Sequence, residues 1–240
     1  MHSKKLEAHG LVNRIAGTGY NFRSHNAGDS VVHDVNKILN ELNVDPIEIY
    51  SGQQKHTAHI EYADGNNGEP YIYGKLFKDT DGLITDKRNV ALLIKFADCT
   101  PVVLFDPVKG VQASVHSGWR GTYQRISLHA LKKMEKEFNC KRENVLVYLG
   151  PSIDQDNYEV GSEVYEAFTD FDTRDSFFKP HGDKYLLDML EANLSILKSA
   201  GIKEENIDRE RASTYTDSRL HSARKEGRNY QLNAILTIMT

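Results

Sequence analysis

The sequence predicts an α+β fold: a single domain built as a layered α-β sandwich, with one or more mixed β-sheets flanked by helices. Two periodicities along the 240 residues predict it, helical spacing in three amphipathic stretches and short β-rich runs between them. A third observation sets the layering: the runs VALLIKF (90–96) and PVVLFD (101–106) alternate only weakly, as strands covered on both faces do. No Pro-rich or Gly/Ser-rich linker and no fixed-period repeat divides the chain, so residues 1–240 read as one domain.

Taken in order, Val31, Val35, Ile38, Leu39 and Leu42 recur at helical spacing behind Asp29 or Ser30, either of which can cap a helix. IEIYS (47–51) and HTAHIEY (56–62) read as strands, as do 90–96, 101–106 and VQASVH (111–116). DPVKG, between the last two, makes a tight turn. Ile126, Leu131, Met134 and Phe138 mark a second helix after Thr122. NVLVYLG (144–150) is a further strand, and Leu187, Leu190, Leu194 and Leu197 mark a third helix that Gly201 closes. QLNAILTI (231–238) is the last strand.

Hydrophobic residues make up 39% of the chain and charged ones 27%, the balance of a soluble globular protein. A formal net charge of -4 lacks the basic excess of a general nucleic-acid binder, so no nucleic-acid partner is expected. No apolar stretch approaches the roughly 18 to 20 residues of a membrane span, and MHSKKLEAHG lacks the apolar core of a signal peptide. A cytoplasmic protein without a membrane partner is the expectation, as monomer or homodimer. Two cysteines, Cys99 and Cys140, make no disulfide framework.

Cys99 ends one β-rich run and His116 ends the next, where a sheet presents side chains to a cleft. After His116, SGWRGT offers glycines that let backbone approach a ligand, just ahead of a helix. Cysteine is also among the most buried residue types, so this pair alone fits packing as well. His56 and His59, near the start of another run, add a third element: His/Cys/His is a zinc ligand set that leaves a position open. Cys140 ends a charged helix with no polar cluster around it and is given no function.

QKH (54–56), ADCTPVVLFDP (97–107), VHSGWRGT (115–122), GPSI (150–153), YEVGSEV (158–164) and HSARKEGR (221–228), with HGLVNRIAG (9–17) ahead of them, occur in one order along the chain. In these motifs the sequence resembles the YfiH-type purine nucleoside phosphorylase family (FAMIN/LACC-like), long labelled polyphenol oxidase or multicopper laccase domain. The resemblance implies metal ligation by His56, Cys99 and His116, with His59 as a substitute. One zinc ion is the expected metal, copper being the alternative, with catalytic roles for the three ligands. The substrates that the resemblance implies are purine nucleosides and inorganic phosphate: phosphorolysis of adenosine, inosine, guanosine and methylthioadenosine, with adenosine deamination beside it. Bacterial members are also linked to peptidoglycan-precursor editing.

Phosphorolysis needs a phosphate held beside the anomeric carbon, and arginine forks suit its oxygens. Arg14, Arg120 and Arg224 fall in the matched motifs and are the phosphate candidates; Gln54 and Trp119 join them as substrate contacts, Trp119 by stacking on a base. Deamination needs an activated water and a proton carrier. Asp98 is the candidate, ahead of Glu159 and Glu163. Ala16, Ser152, Ala223 and Lys225 depart from the family pattern and leave the ligands untouched. Three rival readings stand beside this one. A metal-free hydrolase would use Cys99 as nucleophile and His116 as base, on peptidoglycan precursors or amides, and would have no use for His56. A multicopper oxidase needs His-x-His pairs, and the ten histidines contain none. A non-catalytic metabolite-binding protein is the third.

Overall fold

The weakly alternating runs are strands with both faces covered: Val90–Phe96 is buried at every position but Lys95, and Thr100–Asp106 and Val111–Ser117 are buried throughout. The computed structural model describes the backbone of residues 1–240 and the side chains of all but residues 25 and 26. Two six-stranded mixed sheets form its centre. The first runs Leu11–Ala16, Asn233–Met239, Val90–Phe96, Glu48–Gly52, Gly74–Phe77, Glu69–Tyr71. The second runs Ile207–Arg209, Leu146–Leu149, Thr100–Asp106, Val111–Ser117, Gly82–Thr85, Ile60–Tyr62. A small third sheet joins Glu159–Val160, Lys184–Leu187 and Phe178–His181.

Alternation along each strand divides the core into layers. Leu92, Ile94 and Phe96 face Val103, Phe105 and Tyr148 between the two large sheets. Ala91, Leu93 and Leu236 point the other way, against Val31, Val35 and Ile38 of the Ser30–Leu42 helix. On the far side, Val102, Leu104 and Ala113 meet Ala130, Leu131 and Met134 of the Ile126–Phe138 helix, with Leu194 and Leu197 of Met189–Ser199. The result is helix, sheet, sheet, helix, the layered sandwich the sequence predicts.

Several expected boundaries move for local reasons. The strand expected over 56–62 begins only at Ile60, because residues 55–57 wrap around a buried carboxylate, with His56 at a left-handed φ of 62°. Leu187 ends a strand, and Asp188 caps the helix after it, its Oδ1 accepting from the Glu191 amide at 2.9 Å. Thr122 lies inside a five-residue helix, Trp119–Tyr123, and the longer helix starts after Arg125. Asp29 makes no capping bond, while the Ser30 hydroxyl donates to the Ala27 carbonyl. Asp106 builds the expected turn, its Oδ1 accepting from the amides of Val108 and Lys109. Gly201 closes its helix at φ 85°. No helix among the described residues is long and apolar enough to cross a membrane.

Leu131 is fully buried between helix and second sheet. Leu131→Ala should cost about 2–5 kcal/mol, read as a lower urea midpoint with an unchanged slope.

Candidate metal centre

The polypeptide crosses between the large sheets three times at one edge of the sandwich. Residues 53–59 lead from Glu48–Gly52 to Ile60–Tyr62, residues 78–81 from Gly74–Phe77 to Gly82–Thr85, and residues 97–99 from Val90–Phe96 to Thr100–Asp106. The first crossing carries His56, the second Asp81, the third Asp98 and Cys99. His116 is paired with Pro101 near the end of the neighbouring strand. Sheet-switching thus brings residues 60 positions apart in sequence to one point. The ligand atoms of His56, Cys99 and His116 lie within 4.8 Å of one another, and the two imidazole rings meet edge to face at 5.0 Å. His59 is outside this group, its Nε2 2.7 Å from the Glu61 carboxylate on the surface.

Asp81 organises the cluster, and the sequence reading missed it. With no exposed surface, its carboxylate takes hydrogen bonds from the backbone amides of Lys55, His56 and Thr57, from the Thr57 hydroxyl, and from His116 Nδ1 at 2.8 Å. The Asp81 carbonyl also accepts from the His116 amide at 2.7 Å. Nδ1 being committed, His116 has Nε2 left for a metal, the arrangement in which a carboxylate fixes a ligand's tautomer. Burial works to raise the Asp81 carboxyl, but His116 and the amides outweigh it and hold it near 2.

Electrostatics prepare the thiol for the same role. Burial opposes ionisation of Cys99, yet the charge and hydrogen bonds of His116 and then His56 bring it down to about 6. Burial likewise opposes charge on His116, while the Cys99 thiolate and Asp81 lift it to about 9. The shift favours the deprotonated thiol that metal ligation requires, and an arriving metal would displace the proton that the same pairing keeps on His116. Gly118 closes one side: a Cβ there would stand 2.7 Å from His56 Cδ2 and 2.8 Å from Cys99 Sγ. This is the close backbone approach that SGWRGT suggests.

A cavity of about 440 Å³ opens on the ligands, lined also by Gln53, Gln54, Tyr71, Lys95, Phe96 and Tyr230. Gln54 spends its amide on the backbone of Lys95, accepting at 2.9 Å and donating at 2.6 Å, so it extends the sheet where the main chain has turned away. Arg120 and Arg224 lie outside this cavity's lining, on the side of Tyr158. Burial pushes the Tyr158 phenol above its usual range, Cys99 and Asp98 push it further, and the two arginines oppose the shift. The Arg224 guanidinium donates to the Glu159 carbonyl, and Arg120 lies over the Trp119 ring at 4.3 Å. Trp119 packs against the cluster of Phe168, Phe171, Phe177 and Phe178 at the third sheet. Asp98, at φ 83°, accepts from the Thr214 hydroxyl and the Arg224 amide, tying both segments to Cys99's turn. Arg14 stands on the helix-covered face of the first sheet with Glu41, away from the cluster. Glu159 pairs with His181 and Lys184, and Glu163 folds against Gly161, both at the surface. Cys140 is buried, its thiol pushed up to about 12 first by burial and then by Asp106.

A family model described as multi-copper polyphenol oxidoreductase laccase matches residues 9–236. The fold is similar to that of a hypothetical protein YfiH from Bacillus licheniformis, with a TM-score of 0.83 at 24% identity over 88% of this chain and 81% of the other. It is also similar to YlmD from Geobacillus stearothermophilus, with a TM-score of 0.85 at 22% identity over 99% and 94%. In sequence the chain is 38% identical over 157 residues to a purine nucleoside phosphorylase of Bacteroides thetaiotaomicron, covering 64% of this chain and 58% of that relative. It is 31% identical over 195 residues to an adenosine deaminase from an unknown prokaryotic organism, covering 79% and 74%.

Asp81→Asn should lower metal affinity roughly 10- to 100-fold, measured by competition with a chromogenic chelator. Gly118→Ala should weaken the metal by at least about tenfold through displaced ligands, read in the same titration, while Gly110→Ala, which strains a remote turn at φ 63° and touches no ligand, lowers stability and leaves metal affinity unchanged.

Proposed function

The chain belongs to the multi-copper polyphenol oxidoreductase laccase family, and on that premise we propose that it is a zinc-dependent enzyme of purine nucleoside metabolism. Its main reaction is phosphorolysis of adenosine, inosine, guanosine or methylthioadenosine to the free base and the sugar 1-phosphate, with adenosine deamination as a side activity. The observation that carries the reading is the His56/Cys99/His116 cluster opening on a cavity of nucleoside size. The names of the relatives supply the substrate class.

The donor set fits zinc: two imidazoles and an ionised thiol leave a coordination position open. When bound, zinc supplies a Lewis acid that activates water and offsets developing negative charge. The chain's own residues do the rest. Asp81 holds His116 in one tautomer and draws the His56 loop over it. Asp98 keeps the Arg224 segment beside Cys99, and Asp98 is the proposed proton carrier for deamination. Aromatic Tyr71, Phe96 and Tyr230 offer the cavity's ring surfaces to a base. In phosphorolysis the C1′–N9 bond breaks as the C1′–O bond to phosphate forms, and the base leaves with a proton.

One observation favours a second reading, a Cys/His hydrolase: the Cys99 thiolate and His116 imidazolium pair resembles that of cysteine nucleophiles. In it the third member, His56, is left only the task of helping His116 to hold the thiol ionised. Copper oxidation fits less well, since one three-ligand group is found among the described residues and a multicopper site needs several.

Adenosine supplied with phosphate should yield adenine or hypoxanthine and ribose 1-phosphate, and without phosphate only inosine, as followed by mass spectrometry. Cys99→Ala should lose the metal and both activities together. Free base released equally fast without phosphate, or full activity after metal removal, would move the assignment to the hydrolase.

A further inference from the structure

Lys95 interrupts an otherwise buried apolar strand, and its side chain lines the same cavity as the three ligands. It is the one lysine or arginine among the residues lining that cavity, and no aspartate or glutamate lines it. Among the described residues Lys95 makes no ion pair: its ammonium donates at 3.3 Å to the Gly52 carbonyl, which leaves two N–H donors to offer. Burial pulls its pKa down to about 8, with no carboxylate acting against the shift. No carboxylate balances this cation, and the Cys99 thiolate in the same lining belongs to the ligand group, so an added anion beside Lys95 is favoured.

The backbone holds this lysine in place. Gln54 clamps its amide and carbonyl, and Gly52 lies where a Cβ would meet the Thr80 carbonyl at 2.1 Å, so the chain beside Lys95 has little room to shift. Around it, apart from the ligand group of His56, Cys99 and His116, the lining is uncharged: Ser24, Gln53 and Tyr71 supply hydroxyl and amide groups, and Leu76, Phe96 and Leu232 supply apolar surface. Such a cavity suits an uncharged ring system that meets an anion at one point.

We propose that Lys95 is the anion-binding residue of the cavity and holds a phosphate group there, either inorganic phosphate or the phosphate of a nucleotide. The proposal rests on the purine nucleoside reading for its choice of phosphate over other anions. It moves the phosphate site from the arginines that the sequence motifs suggest to a residue outside those motifs.

The test is isothermal titration of the metal-loaded protein, of Lys95→Met and of Lys95→Arg, with inorganic phosphate, adenosine 5′-monophosphate and adenosine as separate ligands. Lys95→Met should weaken the phosphate-bearing ligand roughly 10- to 100-fold, the size of a lost charge-assisted contact, and leave adenosine unchanged, while Lys95→Arg retains most of the affinity. A Lys95-dependent response to inorganic phosphate that persists with adenosine bound identifies the co-substrate. A response confined to the monophosphate identifies a nucleotide. The proposal is overturned if the wild-type protein binds neither phosphate ligand, if Lys95→Met binds both as the wild type does, or if it loses adenosine equally. Because binding is read without turnover, Lys95-dependent phosphate binding with no phosphorolysis would remove the proposed reaction alone. Normal phosphorolysis with an unchanged phosphate KM in Lys95→Met would remove the role of Lys95 alone.

Discussion

The Asp81 carboxylate accepts hydrogen bonds from three successive amides, a threonine hydroxyl and an imidazole, with no surface exposed. A charge so placed costs several kcal/mol to bury unless its lone pairs are met, and here they are met by the chain that carries His56. The same bonds that make the aspartate tolerable therefore curl residues 55–57, carry His56 into its left-handed conformation and orient His116. Stability and ligand geometry are one arrangement at this point. Remove the carboxylate, and three amides lose their partner just as the imidazole loses its tautomer.

The sandwich makes such a point possible. Strands that stay in one sheet align side chains along a face, whereas a strand that passes to the opposite sheet brings its turn to the edge, where backbone from both layers converges. Three crossings meet here, and each uses a non-glycine residue at positive φ: His56 at 62°, Asp79 at 49° and Asp98 at 83°. Such conformations persist when surrounding bonds over-determine them. Asp81 does so for His56, while Thr214 and the Arg224 amide do so for Asp98. Gly118 supplies the clearance that lets Cys99 and His56 share the remaining space.

That helices cover mixed sheet was legible because both-face burial leaves a direct trace: VALLIKF and PVVLFD lack alternation, and the three long helices show theirs; the division into two large sheets left no such trace. Short strands such as Gly82–Thr85 carry too few residues for a period to show, and with that strand went the aspartate just before it. Cys99 and His116 stood out because reactive side chains end β-rich runs. Selecting His56 over His59 required the family resemblance, since the choice depends on a loop that Asp81 bends. Lys95 did leave a signal, a charged residue in a buried run. The arginines attracted attention by lying inside recognisable motifs, but motif membership does not set direction: Arg14 points to the helix-covered face, and Arg120 and Arg224 lie beyond the cavity's lining.

Ligands and cavity draw on different parts of the fold. Cys99 directly precedes one strand of the second sheet and His116 lies within the next, both fixed by the crossings, while Leu76, Lys95 and Phe96 belong to the first sheet, and Tyr71 and Leu232 lie in it or beside it. A substitution on the first sheet can therefore alter what the cavity accepts without passing through Asp81 or the ligand turn. The departures from the family pattern at Ala16, Ser152, Ala223 and Lys225 likewise spare all three ligands and Asp81. On this division the ligand edge sets the kind of chemistry, and the neighbouring sheet sets the molecule presented to it. A charge such as Lys95, carried on a rigid central strand rather than a loop, then acts as a fixed selector for an anionic group.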